Sequence, residues 1–515
     1  MAQQGDARLG KARSAAVSYT ASASTYALDL ASTLVLFISV SFLAGRVWRF
    51  PFDDEIYTLS VIERQSARAL LTVFPAAQDV HPPLSYLVFH GLRQLGLSDA
   101  GMRLSSLAMT AAALLLFQLL ALTWIAPRNS AANSLPIRLI AVLLFALTPL
   151  AISQGDALRW YPLFALQIAL FVTLYLAPHN GAARLWSGVA LGFAASTNFL
   201  AALMVPAFML YRYVLQRQFR WSFDLAYWLL TGGTAALGLY TAYSVLAHRH
   251  GHANAQFGSI VTSVPLDTLG FFGGDALGLS QAWLVGPTAI IFVLAIFSAI
   301  DRKQPDKPAH LLLLMLAATA TMALAGFAKP RSFLYLAPVV AVLLTLFVDR
   351  QVRQGHAGCV LALISLVLAV SVSAIANINF GTHPFKRNSV IPYQSILDFI
   401  DSNAKGSVLV ISTDPVIPWV LGATNDDRCA GYFLNVRHCL DSGRRYDSIF
   451  VIFGHSDKSE NEAVMQIFNN LLAGITAERS KIATFGAGLD EDAAMKSRLS
   501  GVPLERNILT VDYYR

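Results

Sequence analysis

The residues best suited to chemistry are three consecutive acids, Asp53, Asp54 and Glu55, followed by a His-Pro-Pro at 81–83. A carboxylate can take the proton of a hydroxyl group as that hydroxyl attacks an electrophilic carbon, which is general base catalysis. The acids directly follow the first long apolar stretch, near 27–47. Because carboxylates are too costly to leave in hydrocarbon, we expect them where a first membrane helix meets water.

The same acids have a structural alternative. The stretch 55–72 alternates apolar and charged residues at helical spacing, as an interfacial helix does, and Asp53 or Asp54 could be its N-cap. Pro82 and Pro83 can start a second surface helix, because proline suits a first helical turn. Spacing alone is equally compatible with the catalytic and the capping interpretation.

Composition places these motifs in a membrane protein. The chain is 55% hydrophobic and only 13% charged, whereas about 25% charged residues are usual in soluble domains. Its apolar runs of roughly 17 to 24 residues predict a polytopic α-helical protein with about eleven spanning helices. The net charge of +7 does not indicate nucleic-acid binding, because the basic residues fall in short loops, where they set topology and meet anionic lipid.

The apolar runs also predict where the spanning helices lie. We expect them near 27–47, 103–126, 137–154, 160–177, 184–198, 199–215, 224–247, 281–300, 311–328, 332–349 and 357–376. The predicted organisation is a disordered cytoplasmic N-terminus at 1–26, a transmembrane domain at 27–376 with external loops 48–101 and 248–279, and an external domain at 377–515.

Basic residues predict the orientation. If the N-terminus is cytoplasmic, the positive-inside rule requires alternate loops to be basic. They are, with Arg128, Arg138, Arg184, Arg217, Arg220, Arg302, Lys303, Lys307, Arg350 and Arg353. This pattern places both long loops and the C-terminal region on the extracytoplasmic side.

The C-terminal region has the pattern of a small α/β domain. SVLVIST (407–413) and SIFVIFG (448–454) read as strands, and 391–403 and 459–475 read as helices. Cys429 and Cys439 in this domain could form a disulfide outside the cytosol or remain two thiols, and the spacing leaves both open.

A metal centre is not indicated. His248, His250 and His252 lie in a polar loop with no fixed acidic partner, which favours a mobile loop over a metal site. We therefore expect no cofactor, although a divalent metal is compatible with the sequence.

The most specific elements are FDDEIY (52–57) and DVHPPLSY (79–86), placed after a single N-terminal apolar helix. Together they resemble the GT-C glycosyltransferases, and more narrowly the protein O-mannosyltransferase and lipid A aminoarabinose transferase superfamily. The resemblance covers roughly 27–376 and implies a multi-pass enzyme of the bacterial inner membrane whose active site is extracytoplasmic. It also implies a polyprenyl-phosphate sugar as donor and a lipid, glycan or protein as acceptor.

The resemblance assigns roles to the acids. In the family the first residue of an Asp-Glu pair is the catalytic base, which makes Asp54 the base here. Asp53 is a rival, because three acids in a row permit a shift of one residue, and Glu55 would support the fold or orient the acceptor. Displacement at the sugar C1 in one step would invert the anomeric centre.

The leaving phosphate needs cations on the same face. Under the predicted topology Arg159, Lys329 and Arg331 point outward, and Tyr161 lies beside Arg159. Arg331 is favoured because relatives have a similar arginine before an aromatic-rich helix. Arg159 and Lys329 could equally anchor helices to lipid headgroups.

The remaining substrate-binding candidates are Asp79, His81, Tyr86 and Arg103. Arg103 could meet the donor phosphate, but pairing with Asp79 or Asp99 is favoured. His81 departs from the aminoarabinose transferases, which have Lys-Pro in the comparable place, and it favours the wider bacterial family. His81 could equally be a structural hydrogen-bonding residue.

The leading hypothesis is therefore an inverting membrane glycosyltransferase. A transporter or flippase for a lipid-linked sugar would instead show ionisable residues deep in its helices and broken helices in paired positions. The predicted spans are almost free of charge, and their polar groups gather at one outer edge. A non-catalytic scaffold of the same fold is the third alternative, against which the intact acid cluster speaks.

Overall fold

The computed structural model describes part of the 515-residue chain. The described residues are 53–72, 81–120, 154–177, 181–248, 308–324, 334–355, 393–414, 416–421, 427–432, 436–440, 445–454, 462–477, 479–487 and 509–515, with single positions at 31, 34, 296 and 300.

Helices make up the first part of the chain. In order they are α1 (Asp53–Arg64), α2 (Ala67–Thr72), α3 (Leu84–Gln94), α4 (Asp99–Leu120), α5 (Trp160–Leu176), α6 (Gly181–Thr197), α7 (Ala201–Met209), α8 (Trp221–His248), α9 (Pro308–Leu324) and α10 (Leu336–Arg353). A π-helical turn, Leu210–Leu215, continues α7.

The last part of the chain alternates helices and strands. In order they are α11 (Tyr393–Asn403), β1 (Val408–Ser412), α12 (Val416–Leu421), β2 (Arg428–Tyr432), α13 (Arg437–Leu440), β3 (Ser448–Gly454), α14 (Glu462–Thr476), β4 (Lys481–Ala487) and β5 (Leu509–Tyr514).

These elements form two compact units, and the division does not follow the predicted domain boundary. Helices α2 to α10 form the helical unit. Helix α1 belongs to the α/β unit, together with helices α11 through α14 and the five strands. The reason is that Ile56 of α1 belongs to the buried core of the α/β unit. The loop 48–101, which the sequence assigns to the membrane domain, is thus divided between the two units, with α1 in one and α2 in the other.

The predicted surface helix 55–72 is two helices. It is interrupted at Gln65 and Ser66, between α1 and α2. The Ser66 hydroxyl accepts a hydrogen bond from the backbone N–H of Ala69 (3.2 Å), so Ser66 caps a new helix. Asp53 and Asp54 are the first two helical residues of α1 rather than residues that precede it.

The predicted spans that fall on described residues are helical there, with ends shifted by a few residues. By length and composition, one helix in the described part of the chain, α4, could cross a membrane, and Trp160–Leu176, Met204–Leu215 and Pro308–Ala320 are apolar but shorter. The spans near 27–47, 137–154, 281–300 and 357–376 lie largely outside the described residues. The number of spanning helices therefore stays a prediction.

Helices α6 and α8 pack closely because small residues line their contact. A Cβ atom at Gly192 of α6 would collide with the backbone oxygen of Thr231, and one at Gly238 of α8 would collide with that of Ala195. The Ser196 hydroxyl crosses the contact and donates to the backbone oxygen of Thr234 (2.7 Å). Small residues that let two backbones approach in this way are typical of helix pairs in membranes.

The outer faces of α6 and α8 are apolar and exposed. Trp186, Leu229, Leu239 and Tyr243 are each more than 60% exposed. An apolar surface of this extent is unusual on a soluble monomer and is the kind that lipid or a partner covers.

The α/β unit is built on a five-stranded sheet of order β2-β1-β3-β5-β4. Strands β1, β2 and β3 are parallel, and β5 and β4 add antiparallel pairs at one side. The predicted strands 407–413 and 448–454 are the two central parallel strands, β1 and β3. Their side chains are almost all buried, as expected when helices cover both faces of a sheet.

Each face of this sheet has its own core, because successive side chains of a strand point to opposite sides. Val408 and Val410 pack with Ile396 and Ile400 of α11 on one face. On the other face, Ile411 lies in the cluster that contains α14 and both Cys429 and Cys439. The two cysteines form a disulfide, with Cα atoms 5.9 Å apart, which resolves the question that their spacing leaves open.

Candidate active site

The N-terminus of α5 carries a buried cation. Arg159 is the N-cap residue of α5 and makes no capping hydrogen bond with its side chain. It is only 7% exposed, and its Nη1 atom donates to the hydroxyl of Tyr86 (3.4 Å). The first N–H groups of a helix lack intrahelical partners and attract anions. The guanidinium and the helix end therefore create positive potential in one place.

His81 lies next to this helix end. Its ring centroid is 5.6 Å from that of Trp160, the first residue of α5. Its Nδ1 atom is 3.4 Å from the amide nitrogen of Asn198, so an unprotonated Nδ1 accepts that hydrogen bond. The Asn198 amide is itself oriented, because its oxygen accepts the backbone N–H of Leu200 (2.9 Å).

Aromatic side chains line the first turns of α5. Trp160 contacts Tyr161 and Phe164, with centroids 4.3 and 5.6 Å apart. Phe164 in turn meets Tyr335 edge to face at 5.1 Å. All four are buried. A rigid apolar wall of this kind fixes the position of the neighbouring polar groups and excludes water from them.

Helix α4 supplies a polar face to the same region. The Thr110 hydroxyl of α4 donates to the backbone oxygen of Gly155, just before α5 (2.6 Å). Arg103 lies on the same α4 face, two turns earlier, and is only 3% exposed. Buried beside the Thr110 contact is Asp156, whose side chain is completely enclosed.

Several polar atoms in this region are unsatisfied. Within the described residues, the Trp160 Nε1, Gln154 Oε1 and Ser106 Oγ atoms are buried and make no hydrogen bond. Buried polar side-chain atoms are normally paired, so such atoms indicate a place for water or a ligand.

The helical unit thus assembles some of the sequence-predicted substrate-binding residues. His81, Tyr86, Arg159 and Tyr161 come together at the N-terminus of α5, and Arg103 is buried on α4, which packs against α5. Arg103 is predicted to pair with Asp79 or Asp99. Asp79 lies outside the described residues, so that alternative stays a prediction, and within the described residues no ion pair joins Arg103 to Asp99. Asp99 pairs instead with Arg93 (2.6 Å), which lies six residues away, at the other side of the short α3–α4 turn.

Other candidates cannot be placed in this way. Asp79, Lys329 and Arg331 lie outside the described residues, so their roles stay predictions. Asp53 and Asp54 begin α1 in the α/β unit, and their predicted catalytic role also remains a prediction. Glu55, next to them, is completely buried, as a residue that supports the fold would be.

Sequence reasoning missed three residues of the site: Asp156, Trp160 and Asn198. Asp156 could have been noticed, because a carboxylate in a short connector between two apolar runs lies close to the hydrocarbon, where burying its charge costs free energy. Asn198 gives a weaker signal, as a single amide between two apolar runs. Trp160 gives none that distinguishes it from an ordinary aromatic residue at a helix start.

Solved structures show which fold this arrangement belongs to. The chain has the fold of the GT-C glycosyltransferases, as its motifs predicted. In particular it is similar to ArnT from Cupriavidus metallidurans bound to undecaprenyl phosphate, with a TM-score of 0.53 and 14% identity over 94% of this chain and 97% of that one. The apo state of the same protein gives a TM-score of 0.51 and 13% identity over 93% and 97%. No protein-family model matches the sequence, and no curated protein does so either.

Proposed function

We propose that the chain is a multi-pass inner-membrane glycosyltransferase of the inverting type. It moves a sugar from a polyprenyl-phosphate donor to a lipid, glycan or protein acceptor outside the cytoplasm. The fold supports the general class, since ArnT, which shares it, binds undecaprenyl phosphate. The exposed apolar faces of α6 and α8 support the membrane location.

One observation carries the donor assignment: the buried Arg159 at the N-terminus of α5. A phosphate there would meet a guanidinium and unpaired backbone N–H groups together. Tyr86 and Trp160 add side-chain donors close by, and the Trp160 Nε1–H makes no hydrogen bond within the described residues. A lipid phosphate fits this chemistry better than a neutral ligand does.

The proposed reaction balances as a single displacement. Asp54 accepts the proton of an acceptor hydroxyl while the oxygen of that hydroxyl forms a bond to the sugar C1. The bond between C1 and the phosphate oxygen breaks, and its electron pair stays on the polyprenyl phosphate. The cationic end of α5 stabilises the charge that develops on this leaving group. The products are the glycosylated acceptor and the free lipid phosphate.

The donor and acceptor can be identified in cells. We expect cells that lack the gene to lose one sugar from an envelope glycolipid or glycan, detected by mass. A missing sugar identifies the donor sugar and the acceptor class together. If the envelope glycolipids and glycans keep their masses and the polyprenyl-phosphate sugar does not accumulate, the transferase proposal is wrong and the non-catalytic scaffold is favoured.

Purified protein then tests the mechanism with the donor lipid so identified. Asp54→Asn should lower kcat by about 100-fold or more, which is the lower range for loss of a general base. Arg159→Gln should lower kcat by a similar factor, because it removes charge stabilisation from the leaving group. Arg93→Gln is the matched control, since Arg93 is an arginine of the helical unit that already pairs with Asp99.

Three outcomes distinguish the alternatives. If Asp53→Asn is inactive while Asp54→Asn retains activity, the base is Asp53 and the rest of the mechanism stands. If both variants transfer sugar at near wild-type rates, neither acid is the base and the mechanism is wrong. Movement of the donor lipid across vesicle membranes without any sugar transfer would favour the flippase alternative.

A further inference from the structure

A second polar region of the helical unit is a cavity lined by arginines. It has a volume of about 490 Å³, and Arg184, Arg212, Arg217 and Arg220 line it together with Phe219 and Phe223. We call it the arginine pocket. None of the described residues that line it is acidic, so its wall is strongly positive. Its volume lies in the range of pockets that bind small ligands.

The base of the arginine pocket is fixed. Arg212 is held by Asp224 of α8, with Nη2 to Oδ1 at 2.8 Å, and its Nη1 atom donates to the hydroxyl of Tyr175 (3.2 Å). The second oxygen of Asp224 accepts the backbone N–H of Arg220 (2.6 Å). The carboxylate is therefore fully engaged, and it neutralises Arg212 rather than the other arginines.

The remaining three arginines have no acidic partner in the part of the chain that the structure describes. The Arg184 Nε atom is buried and makes no hydrogen bond within that part. Arg217 and Arg220 are exposed at the rim. Like charges that converge without a counter-ion repel one another, so a bound anion would relieve this repulsion.

The backbone at the rim is unusual in a way that points to function. Arg217 has a φ of +52°, the left-handed conformation that follows many helix ends and that normally favours glycine. The turn before it, Leu210–Leu215, is π-helical, which is frequent at functional sites. Arg217 therefore occupies a backbone conformation that glycine would adopt at lower energetic cost, and its side chain lines the pocket.

The arginine pocket lies at the other end of the helical unit from the candidate active site. Helix α5 begins at Arg159 and Trp160, and its last turn brings Tyr175 to Arg212. Helix α6 begins at the pocket and ends at Thr197, directly before Asn198, the partner of His81. Because α6 has 17 residues, the two regions are about 25 Å apart, close to the thickness of a hydrocarbon core.

Exposed aromatic residues surround the pocket. Phe219 lines the pocket, and the Trp221 ring lies 6.3 Å from that of Phe219. Trp186 lies half a turn beyond Arg184, and each of these three aromatic side chains is more than 60% exposed. Aromatic belts of this kind mark the level of lipid headgroups. The basic loops that contain Arg184, Arg217 and Arg220 are also those that charge counting places on the cytoplasmic side.

From this geometry we propose that the arginine pocket binds the phosphate of an anionic lipid headgroup in the cytoplasmic leaflet. Basic pockets between membrane helices on that side bind such headgroups. The exposed aromatics at the rim favour a lipid over a free phosphate, because they place the acyl chains of the ligand against apolar surface. The proposal is independent of the transfer reaction at the other end of α5.

The test uses the purified full-length protein titrated with phosphatidylglycerol in detergent, with bound lipids counted by native mass spectrometry. We expect one tight site, and phosphatidylcholine should not fill it. The double variant Arg217→Gly, Arg220→Gln should weaken this site by about 25-fold, from roughly five-fold per arginine. The glycine suits the left-handed backbone, so the variant should fold.

Arg350→Gln is the matched control, because it removes the same charge from another exposed position on the same predicted face. It should leave the tight site unchanged. Equal binding by the double variant and the wild type would overturn the proposal, and so would equal weakening by Arg350→Gln. If inorganic phosphate displaces phosphatidylglycerol at equal concentration, the site takes soluble phosphate and the lipid assignment is wrong.

Discussion

Arg212 and Asp224 form an ion pair that is almost completely buried, with exposed side-chain fractions of 3% and 5% and a distance of 2.8 Å. The Nε atom of Arg212 donates to the same carboxylate oxygen, also at 2.8 Å, so the contact is a double one. The pair joins the π-helical turn after α7 to the first turn of α8. A buried pair of this kind is costly to break from one side only.

Removing one member of this pair should therefore destabilise the protein. We expect Arg212→Met to cost about 3–5 kcal/mol, because it leaves the Asp224 carboxylate buried and uncompensated. Arg212→Met combined with Asp224→Leu should be much closer to the wild type. Apparent unfolding temperatures in detergent measure both, and a double variant less stable than either single one would contradict this account.

The close approach of α6 and α8 predicts a steric effect. Gly192→Val should destabilise the helix pair by about 1–3 kcal/mol, because the new side chain would meet the backbone of Thr231. Gly233→Ala in α8 is the control, since open space surrounds that position. It should be neutral or gain up to about 1 kcal/mol from better helix propensity. Thermal unfolding should place Gly192→Val below the wild type and Gly233→Ala at or above it.

The Asp447 carboxylate predicts a pH dependence in the α/β unit. Hydrogen bonds from the backbone N–H of Ser407 (2.8 Å) and from its hydroxyl (3.0 Å) hold the pKa of Asp447 below its ordinary value. Asp447 therefore contributes stability above the pKa it has when unfolded, and this contribution is lost as the pH falls through the lowered folded value.

Asp447→Asn should consequently be less stable than the wild type at pH 7, and the difference should shrink in acid. Unfolding temperatures measured from pH 7 to about pH 3 would show the convergence. Asp398→Asn, which removes an exposed carboxylate from α11, is the matched control. A constant difference between Asp447→Asn and the wild type at every pH would show that ionisation of Asp447 does not contribute.

The disulfide between Cys429 and Cys439 tests the orientation of the α/β unit. Disulfides persist outside the cytosol and are rare inside it. In intact cells we expect both thiols to resist alkylation until a reductant is added. Replacing both cysteines by serine should cost about 2–3 kcal/mol, as expected for a loop of this length. Free thiols in untreated cells would contradict the extracytoplasmic placement.

The sequence predicts well where regular elements lie. Apolar runs locate α5, α6 and α8 to within a few residues, and period-two alternation locates β1 and β3, because these signals are local. The region of His81, Tyr86 and Arg159 could also be proposed, since charge counting puts Arg159 on the same side of the membrane as the His-Pro-Pro.

What the sequence does not predict depends on contacts between distant segments. The break at Ser66 has a serine cap as its only local signal, and the pattern on both sides of it is equally helical. The π-helical turn at Leu210–Leu215 is invisible because it changes the backbone and not the residue types. The sequence places Asp156 in a loop, and its burial follows only from the contact of α4 with the neighbouring Gly155.

Helix α1 has a consequence for how the α/β unit can be isolated. Its residue Ile56 fills part of a core otherwise made by the strands and by α11 and α12. The unit is thus discontinuous in sequence, because α1 ends at Arg64 and α11, its next described helix, begins more than 300 residues later, at Tyr393. A fragment that begins at residue 377 would lack α1 and would therefore expose to water the apolar side chains that Ile56 covers. To fold with its native core, it would need a peptide spanning Asp53–Arg64 supplied separately.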